Sequence, residues 1–215
     1  MRPITINQAR KWYDCADPVH DFDHVLRVYR LAERLAEAEG ADWEIVGAAA
    51  LLHDACGSAP GGSGIQRAEH HIASADFAAE VLCAQGWSQE KINAVQHCIR
   101  AHRFRGQEEK PQTLEAKVLF DADKLDVLGA IGVARTIAYA ALDGKPAYAE
   151  PSTKFQQTGI KEPGEPHSSY HEYLFKLRNV KGRLFTASGR ALAEARHAYM
   201  VGFYDQLQAE VRGQR

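Results

Sequence analysis

The sequence predicts an all-α fold. Segments of helical periodicity occupy most of its 215 residues, and the strict alternation that marks a half-buried strand is almost absent. Glycine- and proline-bearing stretches fall between the periodic segments rather than inside them.

The segment Phe22–Glu39 carries Val28, Leu31 and Leu35 at steps of three and four, with Arg27, Arg30, Glu33 and Arg34 on the other faces. Gly40 supplies its stop. Asp42, a good N-cap, opens a second helix through Ile45, Val46, Ala49 and Leu52 to the Cys56–Gly57 region. The glycine-rich stretch Gly57–Gly64 reads as a flexible loop. Further helices are expected over Ala68–Gln85, Ser88–Phe104, Thr113–Leu128, Ile131–Asp143 and Thr186–Val211. Between Asp143 and His167 lies a second loop region with little periodicity. With no fixed-period repeat and no long linker, the economical reading is one compact domain over 1–215 of about eight helices. Its core spans about 20–140, and C-terminal helices within about 167–213 pack on it.

Hydrophobic residues make up 45% and charged residues 25% of the chain, which argues against global disorder. A formal charge of −2 gives no overall basic bias toward nucleic acid or anionic membrane, though Arg100 to Arg105 is locally basic. The longest apolar run, Ile45 to Leu52, is too short to span a bilayer, and the first residues lack the apolar region of a signal peptide. Cys15, Cys56, Cys83 and Cys98 form no CxxC pair, so buried free thiols in a reduced, cytoplasmic setting are expected.

Polar groups on apolar stripes mark the chemistry. His24 starts the stripe His24, Val28, Leu31, Leu35; His53 continues Val46, Ala50, His53; Asp123 lies with Ala116, Leu119 or Phe120, and Val127. A buried carboxylate without a partner is expensive, and a divalent cation would relieve all of these groups together. Asp54 follows His53, about 100° further round a helix, so the pair can clasp one ion from two sides. Two imidazoles and two carboxylates suit Mn²⁺, Fe²⁺, Co²⁺, Ni²⁺ or Mg²⁺ better than a thiolate-bound zinc, and leave open positions for water and a phosphate oxygen. Spacing leaves other readings open. Either histidine can be a hydrogen-bonded core residue, Asp54 a helix-end residue, and Asp123 the partner of Lys124 or Arg27.

The ordered set His20-Asp-Phe-Asp-His24, Leu51-Leu-His53-Asp54 and Asp121-Ala-Asp123-Lys124-Leu125-Asp126 resembles the H…HD…D signature of the HD superfamily. The run Thr113 to Arg135, with its DADKLD…GAIG…AR pattern, is similar to the single-domain bacterial YedJ-like and YpgQ-like branch. The resemblance implies metal ligation by His24, His53, Asp54 and Asp123, with Asp123 preferred over Asp121 because it stands immediately before the basic residue and Leu. Asp121 and Asp126 are then surface or supporting groups. His102 matches a histidine that recurs in this branch and is a candidate for phosphate or a second metal; His97 is the weaker candidate. His70 and His71, after the first loop, are more remote candidates for a second metal. Lys124, Arg27, Arg103 and Arg135 are candidate phosphate contacts, with structural pairing the competing role. Gly129 and Gly132 fit close helix packing better than a phosphate cradle.

The implied protein is an enzyme, a divalent-metal-dependent phosphohydrolase with one metal ion (Mn, Fe, Ni, Co or Mg). Asp54 would act as ligand and proton acceptor, while Lys124, His102 and Arg27 offset charge on the phosphate. Its expected substrate is a phosphorylated small molecule, a nucleotide first. Resemblance to the YpgQ-like members implies cleavage of a nucleoside triphosphate to monophosphate and pyrophosphate. The alternatives are a 5′-nucleotidase and a non-enzymatic nucleotide-sensing or metal-binding module. No membrane and no stable nucleic-acid partner are expected, and a homodimer is compatible with the sequence.

Overall fold

The computed structural model describes residues 2–13, 22–56, 64–106 and 109–215. Among them it holds ten α-helices, two 3₁₀ segments and no strand. The helices are α1 (Ile6–Ala9), α2 (Phe22–Glu39), α3 (Trp43–Leu52), α4 (Gly64–Ala84), α5 (Gln89–Ala101), α6 (Leu114–Leu125), α7 (Gly129–Leu142), α8 (Thr153–Thr158), α9 (Ser169–Phe175) and α10 (Ala187–Val211). Cys15, His20 and the predicted loop Gly57–Gly64, apart from Gly64 itself, lie outside the described residues.

The chain groups into two compact units, 1–123 with 185–189, and 124–184 with 190–215. In the first, α3 is the central element. Every residue from Val46 to Leu52 is buried, as an apolar, alanine-rich helix enclosed on all sides requires. Its neighbours are α2, α4 and α5. Asp42 caps α3 by accepting from the Glu44 amide at 2.9 Å. The helix ends at Leu52 rather than running to Cys56, because the chain tightens into a turn in which the Ala55 amide donates to the Leu52 carbonyl. On α2 the buried stripe is His24, Val25, Val28, Ala32, Leu35 and Ala36, with Leu31 only half-buried at its margin. Ser88 caps α5, which buries Ile92, Val95, Cys98 and Ile99.

In the second unit, Tyr173 and Tyr204 stack at 4.3 Å between ring centroids, and Met200 and Tyr204 are fully buried. Gly132 permits close packing in the way expected: a Cβ there would lie 2.2 Å from the Val127 carbonyl oxygen and 2.8 Å from the Met200 methyl. Helix α9 falls within the C-terminal helical stretch expected from about residue 167, while the loop region between Asp143 and His167 contains the short helix α8, which the weak periodicity did not reveal. It is tied together by Glu165, whose carboxylate accepts from the Ser152 amide and hydroxyl, the Glu162 amide and His171 Nε2.

The described cysteines are all free, but only Cys98 is buried; Cys56 and Cys83 are exposed, contrary to expectation. Both stand at the edges of their elements, where an apolar neighbourhood in sequence does not ensure cover. No single helix among the described residues is long and apolar enough to cross a membrane.

Candidate metal centre

Five elements of the first unit deliver six groups to one place. The groups are His24 from α2, His53 and Asp54 from the turn after α3, His70 from α4, His102 at the end of α5, and Asp123 from α6. Sequence alone could not show that these elements meet. His24 Nε2 lies 3.4 Å from Asp123 Oδ1 and 3.9 Å from Asp54 Oδ2, and His53 Nε2 is 3.6 Å from the same Asp54 oxygen. The other Asp54 oxygen faces His70 Nε2 at 3.2 Å and His102 Nε2 at 3.6 Å. The Asp54 carboxylate therefore straddles two donor groups, His24–His53–Asp123 on one side and His70–His102 on the other.

The backbone decides how two of the imidazoles face inward. His53 Nδ1 is 2.8 Å from the Ala50 carbonyl, and His102 Nδ1 is 2.5 Å from that of Ile99. A carbonyl only accepts, so each Nδ1 carries the hydrogen and each Nε2 presents a lone pair to the centre. This is the support that metal-binding histidines receive from a carbonyl behind the ring. His53 Nε2 is buried with no hydrogen-bond partner, and no contact to Asp54 Oδ1 has hydrogen-bond geometry. Lone pairs and carboxylate oxygens brought together without hydrogens between them repel one another unless a cation joins them. The residues thus fit a divalent ion, held by nitrogen and oxygen donors with no thiolate.

Burial works to raise the pKa of Asp54, but with their rings in the protonated form His53, His70 and His102 outweigh it and hold the carboxyl well below the usual carboxylate range. Tyr13 responds to the same charge. Burial and the Asp54 carboxylate push its phenol upward, and its hydroxyl donates to the Leu51 carbonyl at 2.9 Å. The turn bearing His53 and Asp54 is held from α4 as well, where Ser74 Oγ accepts from the Cys56 amide at 3.1 Å. Tyr13 and Ser74 had no signal in sequence spacing, since each acts across a gap between elements, whereas His70 was a remote candidate by its place after the first loop.

The remaining candidates divide clearly. Asp121 points away from the cluster and is fully buried, not at the surface. It accepts from the amides of Phe185 and Thr186 and from the Thr186 hydroxyl, at 2.9, 2.7 and 2.6 Å. His97 lies outside the cluster, bridging Glu109 and the Gln112 amide. His71 is buried beside His70 and belongs to neither donor group. Arg135 pairs with buried Asp126 in the second unit. Lys124, half-buried, also belongs to that unit by its contacts. Arg27 is half-buried on α2, one turn past His24. Arg103 reaches His70, with its guanidinium 2.8 Å from Nδ1.

Comparison with known proteins places this geometry. The HD domain profile matches residues 21–128. The uncharacterized protein YpgQ of Bacillus subtilis is 32% identical over 197 residues, covering 90% of this chain and 85% of that one. The crystal structure of Bacillus subtilis YpgQ in complex with ADP superposes with a TM-score of 0.74 at 30% identity, covering 98% of this chain and all of that one. An HD-superfamily hydrolase from Bacillus thuringiensis superposes with a TM-score of 0.71 at 29% identity, covering 97% of this chain and 95% of that one.

Proposed function

The chain belongs to the HD domain family, with the fold and the divalent-metal site of a hydrolase, and on that premise we propose that it hydrolyses nucleotides, converting a nucleoside triphosphate to a monophosphate and pyrophosphate. The observation that carries the reading is the grouping of His24, His53 and Asp123, with an Asp54 oxygen 3.9 Å from His24 Nε2 and 3.6 Å from His53 Nε2 and the His53 lone pair turned inward by the Ala50 carbonyl. These four residues would hold the ion. A divalent ion bound there supplies Lewis acidity toward a phosphate oxygen and lowers the pKa of water.

The chain's own groups do the rest. Asp54, with one oxygen toward His24 and His53 and the other toward His70 and His102, is the proposed ligand and proton acceptor. The hydrogen bond from His53 Nδ1 to the Ala50 carbonyl fixes its ring without help from substrate, so the geometry is set before binding. Arg27 stands on the same unit as the cluster and is the proposed phosphate contact, whereas His102, expected to share that task, turns the lone pair of Nε2 toward the centre and has no hydrogen there to offer a phosphate. Nucleotide as the substrate class draws support from the related YpgQ structure, which contains ADP. Cleavage at the α-phosphorus leaves pyrophosphate, a stable leaving group whose charge nearby cations can offset.

A nucleotide panel, assayed separately for pyrophosphate and orthophosphate, tests the reading. Pyrophosphate from triphosphates, with monophosphates inert, is expected. Orthophosphate as the only product across triphosphates and monophosphates would replace it with a 5′-nucleotidase activity.

A further inference from the structure

The six converging groups form two donor sets, His24–His53–Asp123 and Asp54–His70–His102, enough for two ions, yet their hydrogens are not arranged alike. His53 and His102 each direct Nδ1–H to a carbonyl and so offer Nε2 as a lone pair. His70 is opposite. Its Nδ1 faces Arg103 Nη1 at 2.8 Å, and a guanidinium only donates. Nδ1 must therefore accept, which puts the ring hydrogen on Nε2, where it faces Asp54 Oδ1 at 3.2 Å. Arg103 donates to His70, and the His70 ring hydrogen is directed toward Asp54.

From this arrangement, and resting on the metal-site reading above, we infer that Arg103 is a positioning residue that limits the centre to one tightly held ion. It does so by placing the His70 ring hydrogen on Nε2, the atom that would have to offer a lone pair to a second ion. For His70 Nε2 to bind a second ion beside Asp54 and His102, its hydrogen would have to move to Nδ1. There it would point at the guanidinium, donor against donor, in a site where His70 is only 7% exposed. Opposed buried donors of this kind weaken binding by on the order of a hundredfold.

Two measurements on the full-length protein test this, neither of them activity. Nitrogen-15 NMR of the metal-free protein should show His70 carrying its hydrogen on Nε2, while His53 and His102 carry theirs on Nδ1. Calorimetric titration with Mn²⁺ should find one tight ion per chain in the wild type. Arg103→Gln, whose amide oxygen can accept from Nδ1, should bind a second ion on the order of a hundredfold more tightly than the wild type does. Two equally tight ions in the wild type, an unchanged second affinity in a folded Arg103→Gln, or a hydrogen on His70 Nδ1 would each overturn the inference. The wild-type NMR result decides even if the variant does not fold. No bound Mn²⁺ in the wild type would overturn the metal-site reading and this inference with it, whereas the other outcomes leave that reading standing.

Discussion

Asp54 is the residue on which the site turns, since each of its oxygens faces two imidazoles. Asp54→Asn keeps an oxygen donor but removes a charge and the proton acceptor. Turnover should fall by at least about a hundredfold, which steady-state kinetics on the reconstituted variant checks; a loss below about tenfold would remove Asp54 from both roles. Asp121 offers the contrast. Sequence order favoured Asp123 over it as a ligand candidate, but could not reveal that its carboxylate organises the backbone of Phe185 and Thr186, sixty-four and sixty-five residues away. Asp121→Asn turns an amide toward these donors and should cost about 1–3 kcal/mol of stability while leaving metal content intact. Denaturant unfolding and metal analysis together separate the two effects. The residue types of the site were legible because polar groups on apolar stripes require partners. The partners of His70 and Tyr13 were not, because no periodicity connects α4 or the first turn of the chain to the end of α3.

The long helices were legible from the regular recurrence of apolar residues, and α2 has the bounds that this recurrence predicts. The ends were harder where a cap or a tightened turn decides. At the end of α3, His53 and Asp54 stand in the turn beyond the helix, so their divergence comes from turn geometry as well as helical rotation. Helix α8 escaped notice because six residues give too short a sample of periodicity. The loop before α9 depends on Glu165, whose pKa is held down to about 2; burial works against this, but the Ser152 and Glu162 amides, the Ser152 hydroxyl and His171 prevail. A group depressed in the folded state stabilises above its unfolded pKa, here about 4.5, and that contribution fades as pH falls toward 2. The wild type should therefore melt above Glu165→Gln at neutral pH, and the gap should close on acidification. A gap that widened below pH of about 4 would contradict the assignment. In α7, Gly132→Ala should destabilise by about 1–3 kcal/mol, because its methyl would press on the Val127 carbonyl and Met200.

For the whole molecule, the HD family relation accounts for both the helical fold and the order of the site residues along the chain. Composition and periodicity were enough for the fold class, since buried helical faces leave a repeating trace in sequence. They could not show that five elements deliver their polar groups to one place, a property of tertiary packing. We propose that the chain folds as one domain, so calorimetry of the metal-free protein should give a single transition whose calorimetric and van't Hoff enthalpies agree; two separable transitions would oppose that reading. Metal dependence is the claim on which the enzyme rests. Its most direct measurement follows nucleoside triphosphate hydrolysis by one preparation as purified, after exhaustive chelation and after readdition of Mn²⁺, with metal content measured at each stage. The account predicts about one ion per chain at purification, hydrolysis lost with the metal and restored with it. Undiminished hydrolysis by protein shown to be metal-free would contradict it.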